Sequence, residues 1–382
     1  MRSINRRSLL RNKVAFVPTD SFIITVNIAN DGDSFTLPLI TSGSYNFDVD
    51  WGDLATDQIT TYNQAEVTHT YATAGSYDID MNGIIENISF LNSPDKNNLL
   101  EIKQWGSLKL IIERAFDGCS NLDVTATDIP DLSMLTTISR LFSNCSSLIY
   151  NSSIADWDVS QFTDFSGVFQ GCSIFNKSLS DWNLSAASNI SLMFLNASNF
   201  NNGQDANINN WDVSNVSDMN SIFQNSSFNQ DIGNWDVSNV TNMRSTFQNS
   251  PFNQDISNWV TSSLTFLRET FAETNFNQDI SSWNTSSIFN MFRCFRNNSV
   301  FNQNLDTWNI EELLFADEMF LNGGLSTTNY DALLIGWEAQ NVKNDVLFDA
   351  GNTQYTAGSA AETARAALIA DHNWTITDGG GI

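Results

Sequence analysis

Apolar residues recur at a fixed spacing through residues 100–325 and define a repeated unit. Tryptophans stand 24 to 29 residues apart, at Trp157, Trp182, Trp211, Trp235, Trp259, Trp283 and Trp308. An Ile or Leu precedes each tryptophan by three positions, and in the first four units a Val or Leu follows it by two. This spacing predicts a short strand with the tryptophan at its centre, because the three side chains would share one buried face.

A second apolar group follows the tryptophan in each unit. In the unit around Trp235 it consists of Val240, Met243 and Phe247, and offsets of three and four residues predict one face of a short helix. The phenylalanine of this group defines nine units, at Phe116, Phe142, Phe169, Phe194, Phe223, Phe247, Phe271, Phe295 and Phe320. One unit alone would bury too little apolar surface to be stable, so we expect the units to stack and share a core.

The pattern changes on both sides of the repeats and divides the chain into four segments. We predict a basic N-terminal arm at 1–20, an all-β module at 21–92, the repeats at 99–325 and a terminal cap at 326–382. In the all-β module, Ser21–Ile28 alternates and is rich in β-branched residues. In the cap, residues 329–337 and 360–370 have helical patterns.

The repeated motif resembles a known family. The run Phe-Asn-Gln-Asp-Ile-x-x-Trp-Asp-Val-Ser-Asn-Val-Thr-x-Met, which begins at Phe228, is similar to the BspA-like leucine-rich repeats of bacterial surface proteins, also described as a mycoplasma-type surface lipoprotein repeat. The resemblance implies a right-handed leucine-rich-repeat α/β solenoid with a parallel sheet. Residues 326–382 are similar to the C-terminal cap of such proteins, which implies a helical cap.

The N-terminal module resembles a second family. Its segments 46–53 (Asn-Phe-Asp-Val-Asp-Trp-Gly-Asp) and 69–77 (His-Thr-Tyr-Ala-Thr-Ala-Gly-Ser-Tyr) are similar to the signature of PKD-type immunoglobulin-like domains. This resemblance implies a β-sandwich that serves as a spacer or binding unit. Asp50 and Asp53 are candidate calcium ligands, with turn hydrogen bonds as the alternative role. Apart from calcium, we expect no cofactor.

Charge limits the classes of partner. The net charge is −26, from 43 acidic and 17 basic residues, so we expect no binding to nucleic acid. No apolar run approaches about 18 residues and no signal peptide is recognisable, so membrane insertion is not expected. The arm carries five basic residues and is either a disordered tail or a peptide that docks on an acidic protein scaffold. These residues are Arg2, Arg6, Arg7, Arg11 and Lys13.

Polar residues beside the tryptophans form the candidate binding site. The residue after each tryptophan should point away from the core of the predicted strand. This row contains Asp158, Asn183, Asp212, Asp236, Asn284 and Asn309. We expect the row either to bond to itself, as stacked amides do, or to bind a cell-surface glycan or protein.

The sequence predicts a non-enzymatic, surface-exposed binding or adhesion protein. His69 and His372 are the only histidines, and no P-loop or nucleophile motif is present, so we expect no catalytic site. The lack of a recognisable export signal favours a head or tail appendage on the virion surface of a bacterial virus. The alternatives are a secreted or cell-surface adhesin of a Bacteroidetes-type bacterium and a calcium-stabilised spacer. Oligomerisation stays open.

Overall fold

The computed structural model describes residues 21–150 and 154–382. The basic arm with its predicted docking residues therefore lies outside the described residues. The strands are β1 (Ser21–Ile28), β2 (Ser34–Thr36), β3 (Tyr45–Asp50), β4 (Thr56–Ile59), β5 (Thr68–Thr70), β6 (Gly75–Glu86), β7 (Leu99–Gln104), β8 (Leu108–Lys109), β9 (Asp123–Val124), β10 (Leu347–Asp349) and β11 (Thr375–Thr377). The α-helices found in these ranges are α1 (Thr327–Glu338) and α2 (Ala360–His372).

A single seven-stranded sheet forms the N-terminal end. Its order is β4-β3-β6-β1-β7-β9, with β8 on β6, while β2 and β5 make a separate two-stranded ribbon. The strands β1, β3 and β6 pair antiparallel, and their alternate side chains are buried. The pairs β7–β9 and β6–β8 are parallel, so this sheet continues into the first repeats.

The repeats are joined by backbone hydrogen bonds at every second residue. In the repeat around Trp235, the N–H groups of Met243, Ser245 and Phe247 donate to carbonyls of the next repeat at 2.8 to 3.1 Å. The residues between them bond back within their own repeat, as Thr246 N does to the Met243 carbonyl. One parallel bridge per repeat joins Asp164, Asn189, Asp218, Asn242, Phe266, Asn290 and Phe315. We call this row the bridge column.

Left-handed residues make this bonding pattern possible. Two positions of each repeat, four residues apart, have a φ between about +50° and +85°. The first position is Arg114, Arg140, Gly167, Leu192, Ser221, Ser245, Glu269, Arg293 and Glu318. The second is Gly118, Asn144, Gly171, Asn196, Asn225, Asn249, Glu273, Asn297 and Asn322. Because a left-handed residue other than glycine costs on the order of 1–2 kcal/mol, the bonds between repeats must offset this strain.

Stacked aromatic rings fill the core of the repeats. The nine phenylalanines named above are buried, and the six from Phe169 to Phe295 each stack on a second row within their repeat, formed by Phe175, Phe200, Phe228, Phe252, Phe276 and Phe301. Rings within a repeat lie 3.6 to 4.3 Å apart, as Phe194 and Phe200 do at 3.6 Å. The predicted tryptophan row is buried beside them, which leaves no aromatic side chain of either row free for a ligand.

Each tryptophan also ties its repeat to the preceding one. The Trp235 indole Nε1–H donates to the Ile208 carbonyl at 3.0 Å, and equivalent bonds join the other pairs from Trp182 to Trp308. In α1, Trp337 makes the same bond to the Leu305 carbonyl at 3.1 Å, so the helix covers the last repeat in register. Buried indole N–H groups thus all have partners along this row.

The Phe-Asn-Gln-Asp motif has a structural role in each position. The side-chain oxygen of Asn253 accepts the backbone N–H of Asn277 at 2.9 Å and the amide of Gln278 at 3.0 Å. The Asp255 carboxylate accepts the backbone N–H of Ser257 in its own turn at 2.9 Å. The asparagine therefore joins repeats, the glutamine supports it, and the aspartate caps a turn.

The predicted fold class is wrong in two respects. The repeats are not a right-handed leucine-rich-repeat α/β solenoid: residues 232–237, predicted as strand, contain a turn at 233–234 and no strand, and residues 240–247, predicted as helix, carry the parallel bridge at Asn242. The N–H groups that a helix would use internally bond to the next repeat instead. The N-terminal PKD-like β-sandwich is wrong too, because one sheet and a two-stranded ribbon replace two packed sheets.

Replacing Asn253 by Ala tests whether the hydrogen bonds that asparagine side chains accept from the next repeat stabilise the fold. Asn253→Ala leaves the Asn277 N–H without its acceptor inside the structure, so the free energy of unfolding should fall by about 1–3 kcal/mol. Asn234→Ala is the control, because that exposed side chain joins no repeats; it should change stability by less than about 0.5 kcal/mol. If urea unfolding gives equal changes in the free energy of unfolding for Asn253→Ala and Asn234→Ala, the asparagine hydrogen bonds between repeats do not stabilise the fold.

Candidate interaction surface

The row of polar residues predicted to bind a ligand serves as a set of turn caps. Asp158, Asn183, Asp212, Asp236 and Asn284 are exposed, and Asn309 is half-buried. The side-chain oxygen of each accepts the backbone N–H two residues later at 3.0 to 3.3 Å. Each residue thus forms an Asx turn, which explains its type without a ligand.

The hydrogen bonds of the turn lower the pKa of one residue of the row, Asp236. The pKa of Asp236 lies below its ordinary value because its carboxylate accepts hydrogen bonds from the side chain and backbone of Ser238. The ionised carboxylate therefore contributes to folding above its unfolded pKa of about 3.9, and this contribution is lost as the pH falls through the lower folded value.

The candidate calcium ligands are engaged in the same way. Asp50 accepts the backbone N–H of Gly52 at 2.9 Å, and Asp53 accepts that of Ala55 at 3.1 Å. The second Asp53 oxygen lies 2.8 Å from His69 Nε2. In the ranges that the structure describes, no group of three or more His, Cys, Asp or Glu side chains is arranged to hold a metal ion. Calcium binding stays a prediction.

The bridge column also consists of turn caps, except at two positions. Asp164, Asn189, Asp218, Asn242 and Asn290 each accept the backbone N–H two residues later at 2.8 to 3.1 Å. Phenylalanine replaces the capping residue at the two remaining positions.

These are Phe266 and Phe315, whose side chains are 37% and 46% exposed. Neither residue can make the side-chain cap, and neither buries its ring in the core. Folding therefore gives no reason for phenylalanine at either position.

Further apolar side chains surround the two phenylalanines. The rings of Phe266 and Phe289 meet edge-on with centroids 4.7 Å apart. The Phe289 carbonyl accepts the backbone N–H groups of Leu314 at 2.9 Å and Phe315 at 3.2 Å, which holds these residues side by side. Leu314 is exposed as well. Partly exposed apolar side chains that group in this way make this surface a candidate for interaction.

Arginines flank this patch on neighbouring repeats. The guanidinium carbons of Arg268 and Arg293 lie 4.7 and 4.5 Å from the centre of the Phe292 ring. Glu269 and Glu318 pair with these arginines, and Arg293 Nε lies 2.8 Å from Glu318. The hydrogen bond from Arg293 holds the pKa of Glu318 below its ordinary value.

We name the combined surface the aromatic–arginine face. It is formed by Arg244, Phe266, Arg268, Phe289, Phe292, Leu314, Phe315 and Asp317. Beyond Asp317 it continues into a groove of about 240 Å³, lined also by Glu318, Leu347 and Asp349.

Sequence reasoning missed this face, although a signal was present. When the seven repeats from Asp164 onward are aligned on their phenylalanines, Phe266 and Phe315 are the departures from an Asp or Asn position. The polar residues beside the tryptophans show the more regular pattern. Those residues are regular because every turn needs a cap, whereas a departure from the regular pattern requires another explanation.

One family shares the repeats of this chain. A sequence model of the family described as "Mycoplasma protein of unknown function, DUF285" matches residues 111–206, 202–275 and 251–356. No curated protein and no solved structure matches the chain. The matches begin at residue 111 and do not cover residues 21–92, whose PKD-type resemblance implied a sandwich that the structure contradicts. Within the described ranges, no helix has the length and apolar character needed to cross a membrane.

Asp218 provides a pH-dependent test of the bridge column. Burial raises its pKa, although the Asn220 backbone N–H donates to it. A raised folded pKa means that ionisation destabilises the fold increasingly as the pH rises from the unfolded value of about 3.9 through the folded value. Asp218→Asn keeps the acceptor and removes the charge, so we expect Tm near neutral pH to rise on the order of 1 °C.

The rise in Tm of Asp218→Asn should disappear near pH 3, because the Asp218 carboxyl is then largely protonated in the unfolded chain as well as in the folded one. Asp236→Asn is the matched control, because the pKa of Asp236 is lowered and its substitution should reduce Tm near neutral pH. Calorimetry of both variants at neutral pH and near pH 3 measures these changes in Tm. Shifts of the same sign in the two variants would contradict the assigned roles.

Proposed function

Because the chain belongs to the family described as Mycoplasma protein of unknown function, DUF285, we propose that it is a non-enzymatic binding protein of the repeat-type surface class. The aromatic–arginine face is the surface through which it would hold its partner. The matched segments from residue 111 to 356 include every residue of this face.

The observation that carries the proposal is the exposure of Phe266 and Phe315. Both occupy positions of the bridge column, whose other five members are turn-capping Asp or Asn residues, and both are partly exposed. Each substitution forgoes a cap that is worth about 0.5–2 kcal/mol. A loss of stability with no gain in packing is typical of residues kept for binding.

The surroundings of the two rings support a macromolecular partner. Centrally placed aromatic side chains with arginines around them are typical of the hot spots of protein interfaces. The arginines are already oriented by their glutamate partners, so binding would immobilise few additional side chains.

The biological setting is a separate proposal. A head or tail appendage on the virion surface of a bacterial virus is the first candidate, and a secreted or cell-surface adhesin of a bacterium is the second. In either setting the repeats would present the aromatic–arginine face to a partner outside the cell. The row beside the tryptophans, which was a candidate site for a glycan or a protein, is used for turn caps, and the exposed aromatic side chains with flanking arginines favour a protein at the aromatic–arginine face.

The phenylalanines can be tested by restoring the repeat pattern. Phe266→Asn and Phe315→Asn together should supply the missing caps and hold or raise Tm, while binding is lost. The probe is fluorescently labelled full-length chain, mixed with intact cells or particles that carry the unlabelled protein. We expect the double variant to reduce bound fluorescence at least about tenfold, as the loss of interface anchors does.

Val260→Asn is the matched control. Val260 is a 56% exposed apolar residue at a capping position in the row beside the tryptophans, on a different face. Its substitution should restore a cap and leave binding unchanged. Wild-type chain that does not bind, or a double variant that binds like wild type, would refute the proposed function of this face.

The setting is tested by locating the chain. Antibody detection in purified virus particles, with none in the bacterial surface fraction, is the outcome expected for a virion appendage. Detection only in the surface or secreted fraction of uninfected cells would reject the appendage and favour the adhesin.

A further inference from the structure

We infer that the partner across the aromatic–arginine face is a second copy of this chain, related by a two-fold axis. The inference rests on the proposed function, because it names the partner for the same surface. Two observations support the inference. One is the order of four side chains along consecutive repeats, and the other is that the charged groups at the two ends of this column have no ion pair with any described residue.

Four residues of the face form one column in register. Arg244, Arg268, Phe292 and Asp317 occupy the same position in four successive repeats. The backbone carbonyl of each accepts a hydrogen bond, at 2.8 to 3.0 Å, from an N–H of the preceding repeat. With a spacing of roughly 4.8 Å between hydrogen-bonded neighbours, the backbones of Arg244 and Asp317 lie about 14 Å apart.

The charges at the two ends of this column differ from those in the middle. Arg268 and Arg293 form ion pairs with Glu269 and Glu318. The guanidinium of Arg244 and the carboxylate of Asp317 have neither a hydrogen bond nor an ion pair with any residue that the structure describes. Two partnerless charges of opposite sign thus mark the two ends of the column, three repeats apart.

A two-fold axis makes this column complementary to itself. A two-fold axis that lies in the plane of the face, perpendicular to the column and midway between Arg268 and Phe292, places the second copy opposite the first with its column reversed. Arg244 of one copy then faces Asp317 of the other, and the symmetric pair forms at the opposite end. Arg268 of one copy faces the ring of Phe292 of the other. Such self-matching is what a two-fold homodimer requires of one surface patch.

The neighbouring column supports the same arrangement. It contains Asn242, Phe266, Asn290 and Phe315, which carry no charge. A second copy can therefore cover the two exposed phenylalanines without burying a charge that lacks a partner. The patch spans only four repeats, so we expect a weak dimer that forms at micromolar or higher concentration.

The closing experiment is a charge exchange measured by sedimentation velocity. Wild-type full-length chain should dimerise over a concentration series that reaches the millimolar range. Arg244→Asp and Asp317→Arg should each weaken the dimer about tenfold or more, because each brings like charges together at two symmetric places. The double exchange should restore the wild-type dimer to within a few-fold, because each pair is re-formed with reversed sign.

Lys177→Asp is the control for net charge. It changes the charge by the same amount as Arg244→Asp on a repeat remote from the face, so it should leave the dimer unchanged. A wild-type chain that stays monomeric throughout the series would overturn the inference. A dimer that survives both single exchanges, or that the double exchange does not restore, would overturn it equally.

Failure of this inference is distinguishable from failure of the proposed function. If the wild-type chain is monomeric while Phe266→Asn with Phe315→Asn still abolishes binding to cells or particles, the face has a different protein as its partner. If the charge exchange behaves as expected but that binding survives the phenylalanine substitutions, the face serves assembly of the chain alone and the proposed function fails.

Discussion

The backbone hydrogen bonds between repeats are the constraint on which the rest of this structure depends. The N–H groups of alternate residues, such as Met243, Ser245 and Phe247, donate to the next repeat. Left-handed residues at two fixed positions make this alternation possible, and many of these residues are not glycine. Their strain persists only because the neighbouring repeat supplies an acceptor for each N–H, so no repeat can hold this conformation alone.

The same alternation determines where a ligand can bind. Residues that point inward stack as phenylalanine, tryptophan and aliphatic rows, and residues that point outward mostly cap the turns between hydrogen-bonded positions. Asp236 and Asn242, from two different rows, both accept the N–H two residues later. Val260 replaces a cap outside the aromatic–arginine face, whereas Phe266 and Phe315 replace caps beside other exposed apolar side chains.

The charge distribution is consistent with this division. The chain is strongly acidic, and the pKa of the capping carboxylate of Asp236 is lowered because the side chain and backbone of Ser238 donate hydrogen bonds to it. Arginines lie on and beside the aromatic–arginine face, where the flanking Glu269 and Glu318 balance Arg268 and the flanking Arg293. The face is therefore nearly neutral within an acidic molecule, which lowers the electrostatic barrier to a second acidic copy.

The sequence by itself determined the period of the repeats, their number and the apolar rows of the core, because a 24- to 29-residue spacing of tryptophan and phenylalanine has one simple explanation. It did not determine the local conformation: offsets of three and four residues, as in Val240, Met243 and Phe247, suit a helix as well as turns with left-handed residues. Only the tertiary structure decided between them, since the choice depends on whether an N–H finds its acceptor four residues back or in the next repeat. For the same reason the row from Asp158 to Asn309 looked like a binding strip, and the structure alone showed that backbone N–H groups already occupy it.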